Sequence, residues 1–237
     1  MIARIGVIGD IHEAWNRLER VASHSELDEV DALLLVGDFV ASGPSNATTE
    51  ARRTGECIER TLGYLAHLDR PVVFVPGNHD DPSFAHPCNV DRRVSVVSGI
   101  RVAGIGGSGP AVFGFPYEWS ENEIREVRLP DHDLLLAHAP PAGTSLDLVR
   151  GVHVGSQAIR ERASALRGVL VCGHIHESPG YCRLGDCTCV NVGSLGEPHG
   201  SAQFAVIEME MDTRVVRCSL HCLELGQVTC FECPPGR

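Results

Sequence analysis

Short apolar runs, each closed by a polar residue, set the rhythm of the chain. Ile5-Gly6-Val7-Ile8-Gly9 ends in Asp10-Ile11-His12, and Ala32-Leu33-Leu34-Leu35-Val36-Gly37 ends in Asp38. Val72-Val73-Phe74-Val75-Pro76-Gly77 ends in Asn78-His79-Asp80. Leu134-Leu135-Leu136-Ala137 ends in His138, and Val169-Leu170-Val171-Cys172-Gly173 ends in His174-Ile175-His176. Runs of this length, rich in β-branched residues and stopped by Gly or Pro, predict buried strands. Helical periods run between the first three. Trp15, Leu18 and Val21 give one apolar face over residues 13–25, and Cys57, Ile58, Leu62 and Leu65 give another over 50–68. Residues 41–49, rich in Ser, Gly, Pro and Asn, read as a loop.

The pattern changes after Asp80. Ser98-Gly99 separates strand-like runs 93–97 and 100–105, a hairpin signal. Residues 106–122 form a Gly-rich loop holding Phe113, Phe115, Tyr117 and Trp119. A short helix over 121–128, a strand over 133–137, a Pro/Gly loop and a helix over 156–166 follow. The runs 180–184, 187–191, 203–210 and 214–222 read as antiparallel strands, and 226–237 as a C-terminal tail. No linker or composition break divides the chain, so residues 1–225 are expected to form a single domain. A βαβ half followed by a hairpin-rich half predicts two sheets packed face to face with helices outside.

The polar closures carry the chemistry. Asp10, His12, Asp38, Asn78, His138, His174 and His176 all follow predicted strands, where ligands gather in α/β sheets. Each alone has an ordinary explanation. Asp10 suits a helix cap, Asn78 a turn, and each His a satisfied structural role. Five such closures in order, four of them through Gly, do not read as packing. Imidazoles, carboxylates and one amide, without thiolate, suit Mn²⁺, Fe²⁺ or Zn²⁺. Seven donors exceed the four that a single zinc needs. They fit two divalent ions sharing a carboxylate, an arrangement that clamps both oxygens of an in-line phosphoryl displacement.

Composition then narrows the partners. The net charge is −11, and every basic residue apart from His is Arg. An acidic chain without a cationic groove is not expected to bind nucleic acid. The paired cations Arg52, Arg53, Arg92 and Arg93 read as solvated surface groups, with phosphate contact as the alternative. No apolar run approaches the ~20 residues of a membrane span, and residues 1–12 do not read as a signal peptide. The expected location is cytoplasmic, and a homo-oligomer is compatible with the sequence. Ten cysteines are many. Reduced thiols acting as small hydrophobes are the expectation. The alternatives are a redox disulfide or a structural zinc held by Cys218, Cys222, Cys230 and Cys233.

Asp10-x-His12, Gly37-Asp38, Gly77-Asn78-His79-Asp80, His138 and Gly173-His174-x-His176 resemble the ordered motifs of the calcineurin-like metallophosphoesterases. Asn191-Val192-Gly193-Ser194 resembles a further turn of that family, and the length is similar to its small prokaryotic phosphodiesterase-type members. The resemblance covers residues 3–195. It implies an α/β (α+β) fold, a four-layer αββα sandwich of two mixed β-sheets. It also implies two ions, one on Asp10, His12, Asp38 and His176, the other on Asp38, Asn78, His138 and His174. Asp38 would bridge them beside the hydroxide that attacks phosphorus. His79 matches the histidine that binds phosphate and protonates the leaving group, and Asp80 is its catalytic neighbour. The fourth motif, His138-Ala139-Pro140-Pro141, lacks the doubled His of some members. The implied activity is hydrolysis of phosphomonoesters or phosphodiesters of small molecules. A nuclease using the same centre and a non-catalytic scaffold are the alternatives. The former would want a basic groove, and the complete donor set with His79 argues against the latter. The aromatics of 106–122 either close over a nucleobase or aryl group or pin the loop to the body.

Overall fold

The computed structural model describes residues 2–41, 47–196, 201–210 and 215–233. The first half runs β1 (Ile2–Ile8), α1 (Trp15–Ala22), α2 (Ser25–Asp28), β2 (Ala32–Leu35), α3 (Ala47–Leu65) and β3 (Val72–Phe74). The middle holds β4 (Val94–Val97), β5 (Ile100–Ile105), α4 (Glu121–Glu126), β6 (Leu134–Ala137), β7 (Leu148–Val149), β8 (Val152–His153) and α5 (Gln157–Ala165). The chain continues through β9 (Val169–Cys172), β10 (Gly180–Leu184), β11 (Cys187–Asn191), β12 (Gln203–Glu210), β13 (Val215–Cys222) and β14 (Gln227–Cys233).

Two six-stranded sheets result, in the orders β14-β13-β12-β1-β2-β3 and β10-β11-β9-β6-β5-β4. The strands that carry the apolar runs lie parallel to one another: β1, β2 and β3 in one sheet, and β6 and β9, with β5 alongside, in the other. Parallel strands buried on both faces need unbroken apolar sequence. The alternation shows where each face goes. Ile5, Val7, Leu34 and Val36 join Leu134, Leu136, Val169 and Val171 in one core between the sheets. Ile8, Leu33 and Leu35 turn the other way, onto Leu18 and Val21 of α1 and Ile58 and Leu65 of α3. Leu135, Leu170 and Cys172 pack on Ile124 of α4 and Ile159 of α5. Helix, sheet, sheet and helix thus form four layers around three apolar cores. Among the described residues, no helix is long and apolar enough to cross a membrane.

The structure departs from the sequence reading at the C-terminal end. The expected tail 226–237 contains β14, which pairs antiparallel with β13 from Cys222↔Gln227 to Val216↔Cys233. Its first four residues, Gln227 to Cys230, are all exposed, and that unpatterned start hid the strand. Only the alternation at its end buries Phe231 and Cys233, and the Phe231 ring stacks on Tyr181 at 3.7 Å between centroids. The small β7–β8 hairpin inside the expected Pro/Gly loop was likewise not anticipated. The helix expected over 50–68 is α3 followed by a 3₁₀ turn at Ala66–Leu68, and most of the expected loop 41–49 lies outside the described residues.

The cysteines are free thiols. Cys218 and Cys233 sit in the inter-sheet core, whereas Cys230 is exposed. Among the described residues, the C-terminal cysteines join no group of three converging metal-capable side chains. The β14 strand supplies a direct test. Phe231→Ala is expected to cost about 3 kcal/mol or more of stability in urea unfolding, as for other buried Phe→Ala changes. An unchanged unfolding midpoint would return this segment to the status of a tail.

Candidate metal centre

The carboxyl ends of the parallel strands from both sheets meet at one edge. Asp10 and His12 leave β1, Asp38 leaves β2, and Asn78 and His79 leave β3. His138 leaves β6, and His174 and His176 leave β9. Two groups of donor atoms form there, each with its ligand atoms within 4.8 Å of one another: Asp10, His12 and His176, and Asp38, His138 and His174. Asn78 joins the second group through its Oδ1, 2.9 Å from His138 Nε2. The Asp38 Oδ2 atom lies 3.5 Å from His12 Nε2 and 3.5 Å from His138 Nε2, so it faces both groups. All seven donors singled out in the sequence therefore come together.

The backbone explains why Gly precedes the donors. A Cβ on Gly77 would lie 2.0 Å from Asp38 Oδ1, and one on Gly173 would lie 2.1 Å from Asp10 Oδ2. No side chain fits either place. The donors themselves hold unusual backbone: Asp10, His12, Asp38 and His174 have φ of 49°, 45°, 52° and 67°. A left-handed non-Gly residue costs of order 1–3 kcal/mol and persists only where its surroundings fix it. Four together mark a strained site.

Imidazole orientation is fixed from behind. His138 Nδ1 lies 2.6 Å from the Val36 carbonyl and His12 Nδ1 lies 3.1 Å from the Val40 carbonyl. A carbonyl accepts, so Nδ1 carries the proton and Nε2 points its lone pair inward when the ring is neutral. The Asp10 carboxylate accepts from the His174 backbone N–H at 3.0 Å and lies 3.1 Å from His176 Nε2. The backbone of Asp10 is held in turn by Ser194 Oγ, which donates to its carbonyl at 3.0 Å.

The charges follow from this crowding. Burial works to raise Asp10 and Asp38, but neighbouring imidazoles win: His176 lowers Asp10, and His138 and His12 hold Asp38 well below the ordinary carboxylate range. Burial works to lower His138, yet Asp38 beside it raises the ring to about 9. Asp10 likewise raises His176 against its burial. His174 goes the other way. Burial, with His138 nearby, pushes it down to about 3. Metal ligation requires neutral rings, so an ion entering this site displaces the proton on His138.

A model of the calcineurin-like phosphoesterase family matches residues 3–178. The chain belongs to that family. An uncharacterized protein of Methanocaldococcus jannaschii, MJ1162, is 32% identical over 69% of this chain and 78% of its own length. A probable cyclic nucleotide phosphodiesterase of Rhodococcus erythropolis is 28% identical over 73% of the chain. A cAMP/cGMP dual specificity phosphodiesterase of Mycobacterium tuberculosis, MT0825, is 27% identical over 62%. The chain matches only 61% and 49% of the lengths of these two phosphodiesterases. Among solved structures, TT1561 of Thermus thermophilus superposes over 98% of the chain and 99% of its own, with TM-score 0.59 at 17% identity. A dimetal phosphatase from Danio rerio covers 92% of the chain and 95% of its own, with TM-score 0.55 at 11% identity. At such identities the structures speak for the fold alone.

Other expectations for this phosphoesterase chain resolve differently. Asp80, expected as a catalytic neighbour of His79, is fully buried and turned to the backbone. Its oxygens accept from Phe39 N at 3.0 Å, Val40 N at 3.1 Å and Gly77 N at 2.7 Å. It ties the loop after β2 to the loop after β3. Burial, with the Asp38 charge adding, raises it to about 6 against the pull of those N–H groups. The paired arginines have local partners. Arg53 reaches Glu13 at 2.8 Å, Arg92 reaches Glu123 at 2.7 Å, Arg93 donates to the Pro87 carbonyl at 2.8 Å, and Arg52 sits 3.8 Å from Glu56. The His79 ring stands against the first donor group, its centroid 5.2 Å from that of His12, while its backbone N–H donates to Asp38 Oδ1 at 2.9 Å.

The Asp80 tie generates a prediction. Asp80→Asn keeps the shape but turns an NH₂ toward backbone donors, and a buried donor left unsatisfied costs about 1–3 kcal/mol. Thermal unfolding of the variant should show that loss. Full stability with turnover abolished would return Asp80 to the reacting groups.

Proposed function

We propose that this chain hydrolyses phosphodiesters, with phosphomonoesters as the second substrate class, at a centre of two divalent ions of Mn, Fe or Zn type. Asp10, His12, Asp38 and His176 would hold one ion, and Asp38, Asn78, His138 and His174 the other. The carrying observation is Asp38 Oδ2, 3.5 Å from a donor nitrogen of each group. The residues fit such ions: hard carboxylate and amide oxygens with imidazole nitrogens, oriented lone pairs and no thiolate. When bound, the ions supply Lewis-acid polarisation of the phosphoryl oxygens and a water activated for attack.

This chain's own contribution centres on His79. Its backbone N–H is tied to Asp38, and the two groups of converging donors do not include its ring, so we assign the imidazole to proton transfer. It gives its proton to the departing ester oxygen. Burial lowers its pKa, against the pull of Asp38. A phosphoryl anion beside the ring works in the opposite direction and favours the protonated ring, which takes its proton from solvent. Two relatives named as cyclic nucleotide phosphodiesterases support the diester reading. The acidic charge and the engaged arginines count against a nuclease, and the complete donor set counts against a scaffold.

Elemental analysis with an aryl phosphodiester assay tests the bridge. Asp38→Ala should lose both ions and all turnover, whereas Asn78→Ala should disturb mainly one ion. Two ions per chain retained in Asp38→Ala would sink the assignment. The acid is tested by changing the leaving group, because a poor one needs the proton and a good one hardly does. His79→Ala should slow alkyl esters by about 10²–10⁴ and p-nitrophenyl esters far less, with metal content unchanged. Equal losses on both would make His79 a phosphate-positioning residue, and loss of metal would make it a ligand.

A further inference from the structure

The loop between β5 and α4 carries four aromatics, and they divide into two pairs. Tyr117 and Trp119 are anchors, 6% and 1% exposed. Trp119 Nε1 donates to the Gly106 carbonyl at 2.8 Å, Tyr117 N donates to the Asn78 carbonyl at 3.1 Å, and the Tyr117 hydroxyl donates to Asp91 at 2.6 Å. Phe113 and Phe115 are 72% and 37% exposed. Their backbone is fastened too, since Phe113 N and Gly114 N both donate to the Glu118 carboxylate. The loop therefore presents two phenyl rings to water on a fixed base.

Their position is not arbitrary. The Phe115 ring is 4.4 Å from the His79 ring and 6.3 Å from that of Phe113, and His79 is 5.2 Å from His12. A row of rings runs from solvent to the first donor group. The net charge of −11 disfavours the approach of a phosphate ester, so neutral contacts beside the centre gain importance. Planar rings meeting aromatic side chains provide such contacts without further charge.

We propose that Phe113 and Phe115 form a stacking shelf for a planar aromatic ring carried by the phosphate ester, which selects nucleotide or aryl esters over sugar and alkyl esters. The proposal rests on the reading of the centre as a phosphoesterase site. The shelf adjoins His79, the proton donor of that reading, so the stacked ring lies on the leaving-group side. Phe113 and Phe115 are specificity-determining residues and touch no reacting atom.

The test uses matched ligand pairs on the Mn²⁺-loaded protein, followed by calorimetry. A nucleoside 5′-monophosphate is compared with ribose 5-phosphate, and phenyl phosphate with methyl phosphate. The wild type should bind the ring-bearing member roughly 5- to 100-fold more tightly. The Phe113→Ala/Phe115→Ala double variant should lose that preference, with ribose 5-phosphate affinity and melting temperature unchanged. A preference confined to the nucleoside pair assigns a nucleobase, and one seen in both pairs assigns aromatic rings generally. Equal binding in the wild type, a preference that survives in the variant, equal weakening of both members, or binding of neither overturns the shelf. Turnover of an aryl phosphodiester separates the two readings. Turnover without ring preference removes the shelf alone, and ring preference without turnover under Mn²⁺, Fe²⁺ or Zn²⁺ removes the phosphoesterase reading alone.

Discussion

Two buried carboxylates constrain everything else at this edge of the molecule. Asp10 and Asp38 are 0% and 1% exposed, and both are held ionised. An isolated ionised carboxylate in an apolar interior would cost tens of kcal/mol, so such groups survive only with partners. Key partners come from the other sheet, beside His12 and the His79 N–H from the Asp38 sheet itself. Asp10 meets His174 N and His176, and Asp38 meets His138, whose strands β6 and β9 belong to the second sheet. The charges are thus fully partnered when the two sheets face each other in one register. The inter-sheet core of Val7, Val36, Leu136 and Val171 sets that register and lies directly behind the donors. Packing and chemistry are one constraint in this fold.

The backbone bears part of the cost. Left-handed Asp10, His12, Asp38 and His174 place their side chains where extended residues would not. Asp80 stabilises this geometry by accepting from both loops that flank Asp38. Ser194 does the same for Asp10 from the turn after β11. Asn191 fixes that turn, donating to the Leu146 and Ile175 carbonyls and accepting from Gly193 N. Strain at the donors is therefore balanced by side chains that never touch them through their own ligand atoms.

Legibility followed burial. The parallel strands could be read because both their faces are covered, which forces continuous apolar runs. The donors could be read because each of the five closures follows such a run, four of them through Gly, and at Gly77 and Gly173 no Cβ would fit. β14 could not, since an edge strand exposed on both faces over Gln227 to Cys230 shows no alternation there and imitates a tail. Asp80 shows the limit at single residues. Sequence places it in the same tetrapeptide as Asn78 and His79, but only the fold reveals that Phe39 N and Val40 N claim its oxygens. The aromatics of 106–122 needed coordinates as well, because spacing does not separate anchors from exposed rings.

The electrostatics explain why the edge suits cations and not protons alone. Without an ion, the raised pKa of His138 shows where positive charge collects between the carboxylates. One proton there balances only one of two negative charges, and His176 is raised to answer Asp10 separately. His174, driven down to about 3, stays neutral and offers a lone pair at any ordinary pH. A divalent ion in each group would meet the same carboxylates with two charges and accept the lone pairs that Val36 and Val40 have aimed inward. Because each ring would then shed any proton it holds, ion binding would strengthen as pH rises toward about 9, the value to which Asp38 raises His138. Such an exchange of protons for metal would draw on the same two buried carboxylates that hold the sheets in register.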